Sequence, residues 1–292
     1  GYMGGENNFV SVYSEAGLRM PSSNAAYSGP TAEEGMMRNE VGQVSNGSAS
    51  CMQHFNGTDW KNFVNTVQCT TTTCDYPTTA TLLYQMESDG GSANNVPDTC
   101  SNYNGQSANV TYATGKYGNA GVFNGSNADV EISSSAINTT SPYTISMWLY
   151  ITDVTQYEGI FANVTSSYLT NQIAFVLNNG KISIYSVVSN GNTTLDSITA
   201  TPQSAIANNT WFNLVIVADR SLANKAKVFF NGVEASYVYQ SGVAGTSSYS
   251  NIKIGLADGV GRYFTGSIDQ IRFFPSALNQ TQANQLANEV GC

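Results

Sequence analysis

The chain has 292 residues, 11% of them charged, with eleven Lys and Arg against twenty Asp and Glu and a net charge of −9. Cations so few and so dispersed cannot form a phosphate-tracking stripe, which excludes a nucleic-acid partner. No run approaches the ~20 apolar residues of a membrane-spanning helix, and the N-terminus lacks the basic-plus-apolar layout of a secretion signal, so membrane insertion is not expected.

In chain order, residues 1–69 form a loop-rich region with few aliphatic side chains. Its clearest element spans residues 50–64, two short runs flanking Asn56-Gly57, which predicts a β-hairpin with Trp60 packed across the turn. Such a region buries too little surface to offset its ordering entropy alone, so neighbouring subunits or a scaffold are expected to hold it. Residues 70–80, four consecutive threonines and a proline among them, predict a linker. From 81 to 292 the apolar pattern has period two. Strands are expected at 82–86, 121–123, 129–132, 143–151, 159–162, 172–177, 181–187, 211–218, 227–230, 251–256 and 266–274. The strand at 227–230 runs into the Asn231-Gly232 turn, and strict alternation along 266–274 puts Ile268 and Ile271 on opposite sides. Ala283, Leu286, Ala287 and Val290 form the stripe of a closing helix that starts near Thr281.

Five cysteines stand at 51, 69, 74, 100 and 292, and the lone histidine is His54. A Cys₂His₂ zinc site lacks its second imidazole, and a four-thiolate site lacks paired Cys-x-x-Cys spacing. The alternatives are free thiols, or one or two disulfides, Cys69 with Cys74 and Cys100 with Cys292, in a protein working outside a reducing cytosol.

Gly35-Met-Met-Arg-Asn39, followed by Asn56-Gly-Thr-Asp-Trp-Lys-Asn-Phe63, resembles a short segment of bacteriophage tail-fibre and other virion proteins, although the usual aromatic before Asn39 is missing. Farther on, Tyr117-Gly-Asn-Ala-Gly-Val-Phe-Asn-Gly-Ser126, Tyr143-Thr-Ile-Ser-Met-Trp-Leu149, Trp211-Phe-Asn-Leu-Val-Ile-Val217, Phe229-Phe-Asn-Gly232, Ile254-Gly255 and Gly266-Ser-Ile-Asp-Gln-Ile-Arg272 resemble, in order, the laminin-G-like, concanavalin A-like jelly-roll family. That resemblance implies an all-β sandwich of two antiparallel sheets with a short C-terminal helix, behind the small N-terminal region and its hairpin. It also implies a structural Ca²⁺ held by Asp269 with Glu87 and Asp98, since hard oxygens at separated points suit an ion that takes ~6 to 8 of them.

For sugar contact, Trp148 and Trp211 sit inside apolar strands and are expected in the core. Tyr157, Tyr168, Tyr237, Tyr239, Tyr249 and Tyr263 fall in or beside loops, where aromatic faces with polar edges suit sugars as well as protein interfaces, and none of them stands out. Catalysis is not expected. A jelly-roll glycosidase needs two convergent carboxylates, on one strand as Glu-x-Asp-x-x-Glu in the β-glucanases of this fold, whereas Glu131, Asp219 and Asp258 are isolated. A Ser-His or Cys-His pair could use only His54. Together these readings predict a phage virion protein, a fibre, appendage or capsid-decoration subunit on the outer surface. Its partners would be other virion proteins and a host-surface glycan, and it would assemble as a homotrimer. The alternative is a secreted, extracellular carbohydrate-binding or adhesion module.

Overall fold

The structure is a computed structural model that describes residues 74, 76–88, 94–100, 103–132, 141–163, 172–189, 193–219, 221–222, 226–240, 252–257 and 261–289. At 163, 172–175, 186–189, 193–197 and 239–240 the description is of backbone only, as it is for the N-terminal strands at 22–23, 37–41, 50–55 and 60–62. The chain divides into two compact units, Thr72–Glu289 and Gly1–Thr71 with Val290–Cys292.

In the N-terminal unit, β1 (Ser22–Ser23), β2 (Met37–Val41), β3 (Ser50–Phe55) and β4 (Trp60–Asn62) form a four-stranded sheet in that order. The expected hairpin is present as the antiparallel pair β3 and β4, with Phe55 opposite Trp60. Its Asn56-Gly57 turn and the Trp60 side chain lie outside the described residues.

The larger unit is a sandwich. Its strands are β5 (Leu82–Tyr84), β6 (Asn95–Val96), β7 (Gly105–Ala108), β8 (Thr111–Thr114), β9 (Asn119–Asn124), β10 (Asp129–Ile132), β11 (Tyr143–Ile151), β12 (Tyr157–Asn163), β13 (Gln172–Asn178), β14 (Lys181–Ser189), β15 (Thr193–Thr201), β16 (Trp211–Ala218), β17 (Ala226–Phe230), β18 (Val233–Glu234), β19 (Ser236–Gln240), β20 (Ile252–Ile254) and β21 (Thr265–Phe274), followed by helix α1 (Gln280–Ala287). Nine strands make one sheet in the order β19-β15-β14-β13-β12-β20-β10-β7-β6. The other runs β18-β17-β16-β11-β21-β9-β8, with β5 as its eighth strand against β21. Every strand pair in these two sheets is antiparallel.

Alternate residues of the facing strands fill a shared core. Ile145, Met147, Leu149 and Ile151 of β11 and Phe212, Leu214 and Ile216 of β16 meet Val130, Ile160, Phe161, Ile182, Ile184 and Ile198 from the opposite sheet. At about 25 cal/mol per Å² of apolar surface removed from water, this interior is the main source of stability. The eight-stranded sheet also buries part of its outer face. Val215, Val217, Phe229 and Phe274 pack under Leu278, Ala283 and Leu286, with Tyr76 against them. Helix α1 begins one residue before the expected start, at Gln280, because Asn279 caps it and Gln282 completes a reciprocal capping box. The predicted Asn-Gly turn is also there: Asn231 and Gly232 both have positive φ (49° and 76°) and join β17 to β18.

Two sequence expectations are corrected. The disulfide joins Cys74 to Cys100, with Cα atoms 5.1 Å apart, so neither Cys69–Cys74 nor Cys100–Cys292 is the pairing made; Cys69 and Cys292 lie outside the described residues. Proximity in sequence misleads because β5 draws both segments to its side. The Thr81 amide donates to the Phe273 carbonyl, the Thr99 amide donates to that of Leu83, and Asp98 accepts from the Leu83 and Cys100 amides. Part of the expected linker, from Cys74 to Ala80, is therefore stapled onto the sandwich.

The second correction concerns β21. Ser146 of β11 pairs with Arg272, but Trp148 pairs with Asp269, so one extra residue is accommodated opposite Met147. Gln270 absorbs it with φ of 49°. This bulge resets the alternation, and Ile268 and Ile271 both enter the core in place of facing opposite sides.

Candidate functional site

The bulge sends Asp269 and Arg272 to the outer face of the eight-stranded sheet, where both are buried. Arg272 meets Glu289, which follows α1: Nη2 lies 2.9 Å from Oε2, and Nη1 donates to Oε1 at 3.0 Å. The same Oε1 accepts from the Trp148 indole N–H at 2.9 Å, and the Tyr117 hydroxyl donates to the Glu289 carbonyl. Tyr117 meets the Trp148 ring edge-on at 5.9 Å, and the Lys116 ammonium sits 4.4 Å from that ring's centroid. The group is a clasp holding the end of α1 and the Lys116–Asn119 loop to the sheet. Removing one partner would strand a buried charge, at about 3–5 kcal/mol.

Beside the clasp lies a pair of carboxylates. Asp269 Oδ2 accepts from the Tyr117 amide at 2.9 Å, while its Oδ1 is buried without a hydrogen-bond partner. Burial pushes its carboxyl up to about 7; the Tyr117 amide opposes that shift and the negative charge of Glu87 adds to it. Glu87 Oε2 accepts from the Asn119 amide at 2.8 Å, and desolvation holds its carboxyl above the usual range despite that bond. Of the three residues expected to ligate a metal, Glu87 and Asp269 thus share one loop. Asp98 does not join them, because its two oxygens accept from the Leu83, Cys100 and Tyr103 amides. Among the described residues, no group of three or more His, Cys, Asp or Glu is placed to hold a metal.

The aromatic expectations divide. Trp148 is 4% exposed, as expected of a buried side chain, but it belongs to the outer face and not to the interior between the sheets. Trp211, expected in the core, is half-buried on the same outer face, its ring 5.5 Å from that of Tyr150. Tyr157 is exposed on the nine-stranded sheet, with its hydroxyl 3.2 Å from that of Tyr185 and the Arg262 guanidinium 4.4 Å from its ring centroid. Tyr237 and Tyr263 are half-buried; Tyr168, Tyr249 and the Tyr239 side chain lie outside the described residues. Of the isolated acids, Glu131 is exposed 3.9 Å from Lys253, and Asp219 accepts from Ser221 in a turn. Asp258 lies outside the described residues.

The model of the concanavalin A-like lectin/glucanases superfamily matches residues 124–284, more than half of the chain. The chain belongs to this superfamily. Within that fold it is similar to domain 4 of AbnA, an extracellular GH43 arabinanase from Geobacillus stearothermophilus, in complex with arabinotriose. The two are 21% identical with a TM-score of 0.51, over 72% of this chain and 98% of that one. It is also similar to the binding domain of Paraclostridial Mosquitocidal Protein 1 (18% identity, TM-score 0.54, 72% and 52% coverage) and to that of botulinum neurotoxin serotype G (16%, 0.54, 71% and 50%). The chain thus spans about half the length of those two binding domains. No curated protein matches it in sequence.

Among the described carboxyls, Asp269 is the one that burial shifts furthest. A carboxyl raised in the folded state binds its proton more tightly there than in the unfolded chain, so its contribution is complete at low pH and lost as pH rises toward the folded value. Thermal melts of chelator-treated protein should show stability falling from about pH 4 to about pH 7, by on the order of a few kcal/mol, and no further fall from this group above that. Asp269→Asn should remove most of the slope, leaving the smaller part due to raised carboxyls such as Glu87; an unchanged slope would mean that Asp269 is not its source.

Proposed function

We propose that this chain is a bacteriophage virion structural protein, a fibre, appendage or capsid-decoration subunit, whose sandwich is displayed outward to bind host-surface glycans. Membership of a lectin and glucanase superfamily carries the glycan half of this reading. It is supported by likeness to one domain solved with arabinotriose and to others named as binding domains. The virion half is supported by the N-terminal resemblance and by the few aliphatic residues of the N-terminal region, from which a need for partners is expected. Attachment would be multivalent: as a homotrimer in many copies on one particle, weak single sites gain avidity of ~10² to 10⁴.

The Cys74–Cys100 disulfide favours a second reading, a secreted carbohydrate-binding or adhesion module, because such bonds persist in oxidising surroundings. Cryo-electron microscopy of the source particle separates the two. The first reading expects residues 1–71 embedded among virion subunits with the sandwich outward, and the chain found only free of any particle would contradict it.

A structural Ca²⁺, implied by the family resemblance, would draw on Glu87 and on the unpartnered Asp269 Oδ1, supplying positive charge to two carboxylates that burial holds above their usual range. Ca²⁺ should then raise the melting temperature of the wild-type chain at pH 8 and leave Asp269→Asn unchanged. Equal responses from the two proteins would rule the site out.

A further inference from the structure

Among the described residues, the outer face of the eight-stranded sheet is covered at one end by α1 and the clasp, while the other end is left half-buried. Strand register sets Trp211 opposite Tyr150, Tyr150 opposite Ser267, Ser267 opposite Val122 and Val122 opposite Thr111, in one row across β16, β11, β21, β9 and β8. The adjacent row, with Asn213, Trp148 and Asp269, is buried under the clasp. In the first row nothing is fully buried: Trp211, Tyr150, Ser267 and Val122 are half-buried and Thr111 is exposed. Lys116 lies over Trp148, in the covered row.

The chemistry of the row is specific. The Trp211 and Tyr150 rings, inclined at 54°, make two aromatic faces of a shallow wedge. Beyond them Ser267 and Val122 are too small to fill the shelf. Strand β21 can approach β11 at residue 266 because that residue is glycine; a Cβ there would overlap the Tyr150 carbonyl oxygen. The strand-end positions next to the row are Thr265, Asn124, Asn209 and Thr210; the Asn124 amide is used within its own turn, accepting from the Ser126, Asn127 and Ala128 amides and donating to Asn127, and the Thr210 hydroxyl donates to the Asn208 carbonyl. None of the five row residues or these four carries a charge.

From this arrangement we propose that the row is a platform for a neutral carbohydrate, with Trp211 and Tyr150 taking the C–H face of one sugar ring and the next unit lying along Ser267 and Val122 toward Thr111. The proposal rests on the glycan-binding reading above and fixes its place and ligand class. The five row residues and the four beside them offer an acidic sugar no cation, the neighbouring Lys116 ammonium is engaged over the Trp148 ring, and the net charge of −9 disfavours an acidic ligand. A large protein partner would find only one row of half-buried apolar surface, bounded by a charged clasp.

The test is titration calorimetry of the full chain against neutral gluco-, manno-, galacto- and arabino-oligosaccharides and against uronic- and sialic-acid oligosaccharides, with tryptophan fluorescence followed in parallel. The proposal expects binding to a neutral member with a change in tryptophan emission. Trp211→Ala and Tyr150→Ala should each weaken that binding by about tenfold or more. Ser267→Arg, which blocks the shelf while leaving both rings in place, should do the same with an unchanged melting temperature and so holds the test should an aromatic variant fail to fold. Tyr157→Ala, on the other sheet, should bind as the wild type does. Neutral-sugar binding untouched by Ser267→Arg and the aromatic variants would overturn the platform and leave the glycan-binding reading standing. Binding of acidic sugars alone would overturn the ligand class. Binding of none would overturn both the platform and the glycan-binding reading.

Discussion

One irregular residue in the central strand decides how this sandwich uses its outer surface. Gln270, held at a positive φ that costs on the order of 1 kcal/mol in a side chain of this kind, adds a residue to β21 opposite Met147. Without it, period-two alternation would carry either Ile268 or Ile271 out of the core, and one of Asp269 and Arg272 into it. With it, both isoleucines face the opposite sheet and both charged residues face outward, where Glu289, Tyr117 and the loop before β9 can meet them. The cost of the bulge is small beside that of an unpaired charge in an apolar interior.

The outward charges in turn explain why the face divides. Arg272 secures the end of α1 through Glu289, Trp148 shares that carboxylate, and Tyr117 closes over the indole, so half of the face becomes a second interior. Over the other half no helix lies among the described residues, and its Trp and Tyr stay partly in water. Wet aromatic faces next to a rigid, buried support are the arrangement from which binding platforms are made, because the rings are held in place before a ligand arrives.

Most of the sandwich was legible in the sequence, since long strands with apolar inner faces announce themselves: β11 and β16 fall at the residues that periodicity marks. Most of the strands that went unmarked are polar or short. Thr193–Thr201 reads as loop from its threonines and serine, and Gly105–Ala108 and Thr111–Thr114 lack an apolar face, yet all three are fixed by pairing with neighbours. Periodicity also could not foresee the bulge, because one inserted residue leaves composition unchanged and only shifts phase. For the same reason Trp211 looked like a core residue: an apolar strand covered on both faces and one covered on a face and a half read alike. Glu87 was set beside Asp269 by the family resemblance and by no pattern in the residues themselves, and Asp98 was not legible as the acceptor that ties Cys100 to β5.

The most direct test of this account is the melting temperature of Gln270→Gly compared with Gln270→Val. Both variants lose the contact from Arg272 to the Gln270 side chain, so the difference between them reports the backbone. At a left-handed bulge position glycine should leave the protein more stable than valine, by on the order of 1–2 kcal/mol. In a regular strand valine should be the better by up to ~1 kcal/mol, and that order would contradict the bulge and the division of the outer face that follows from it.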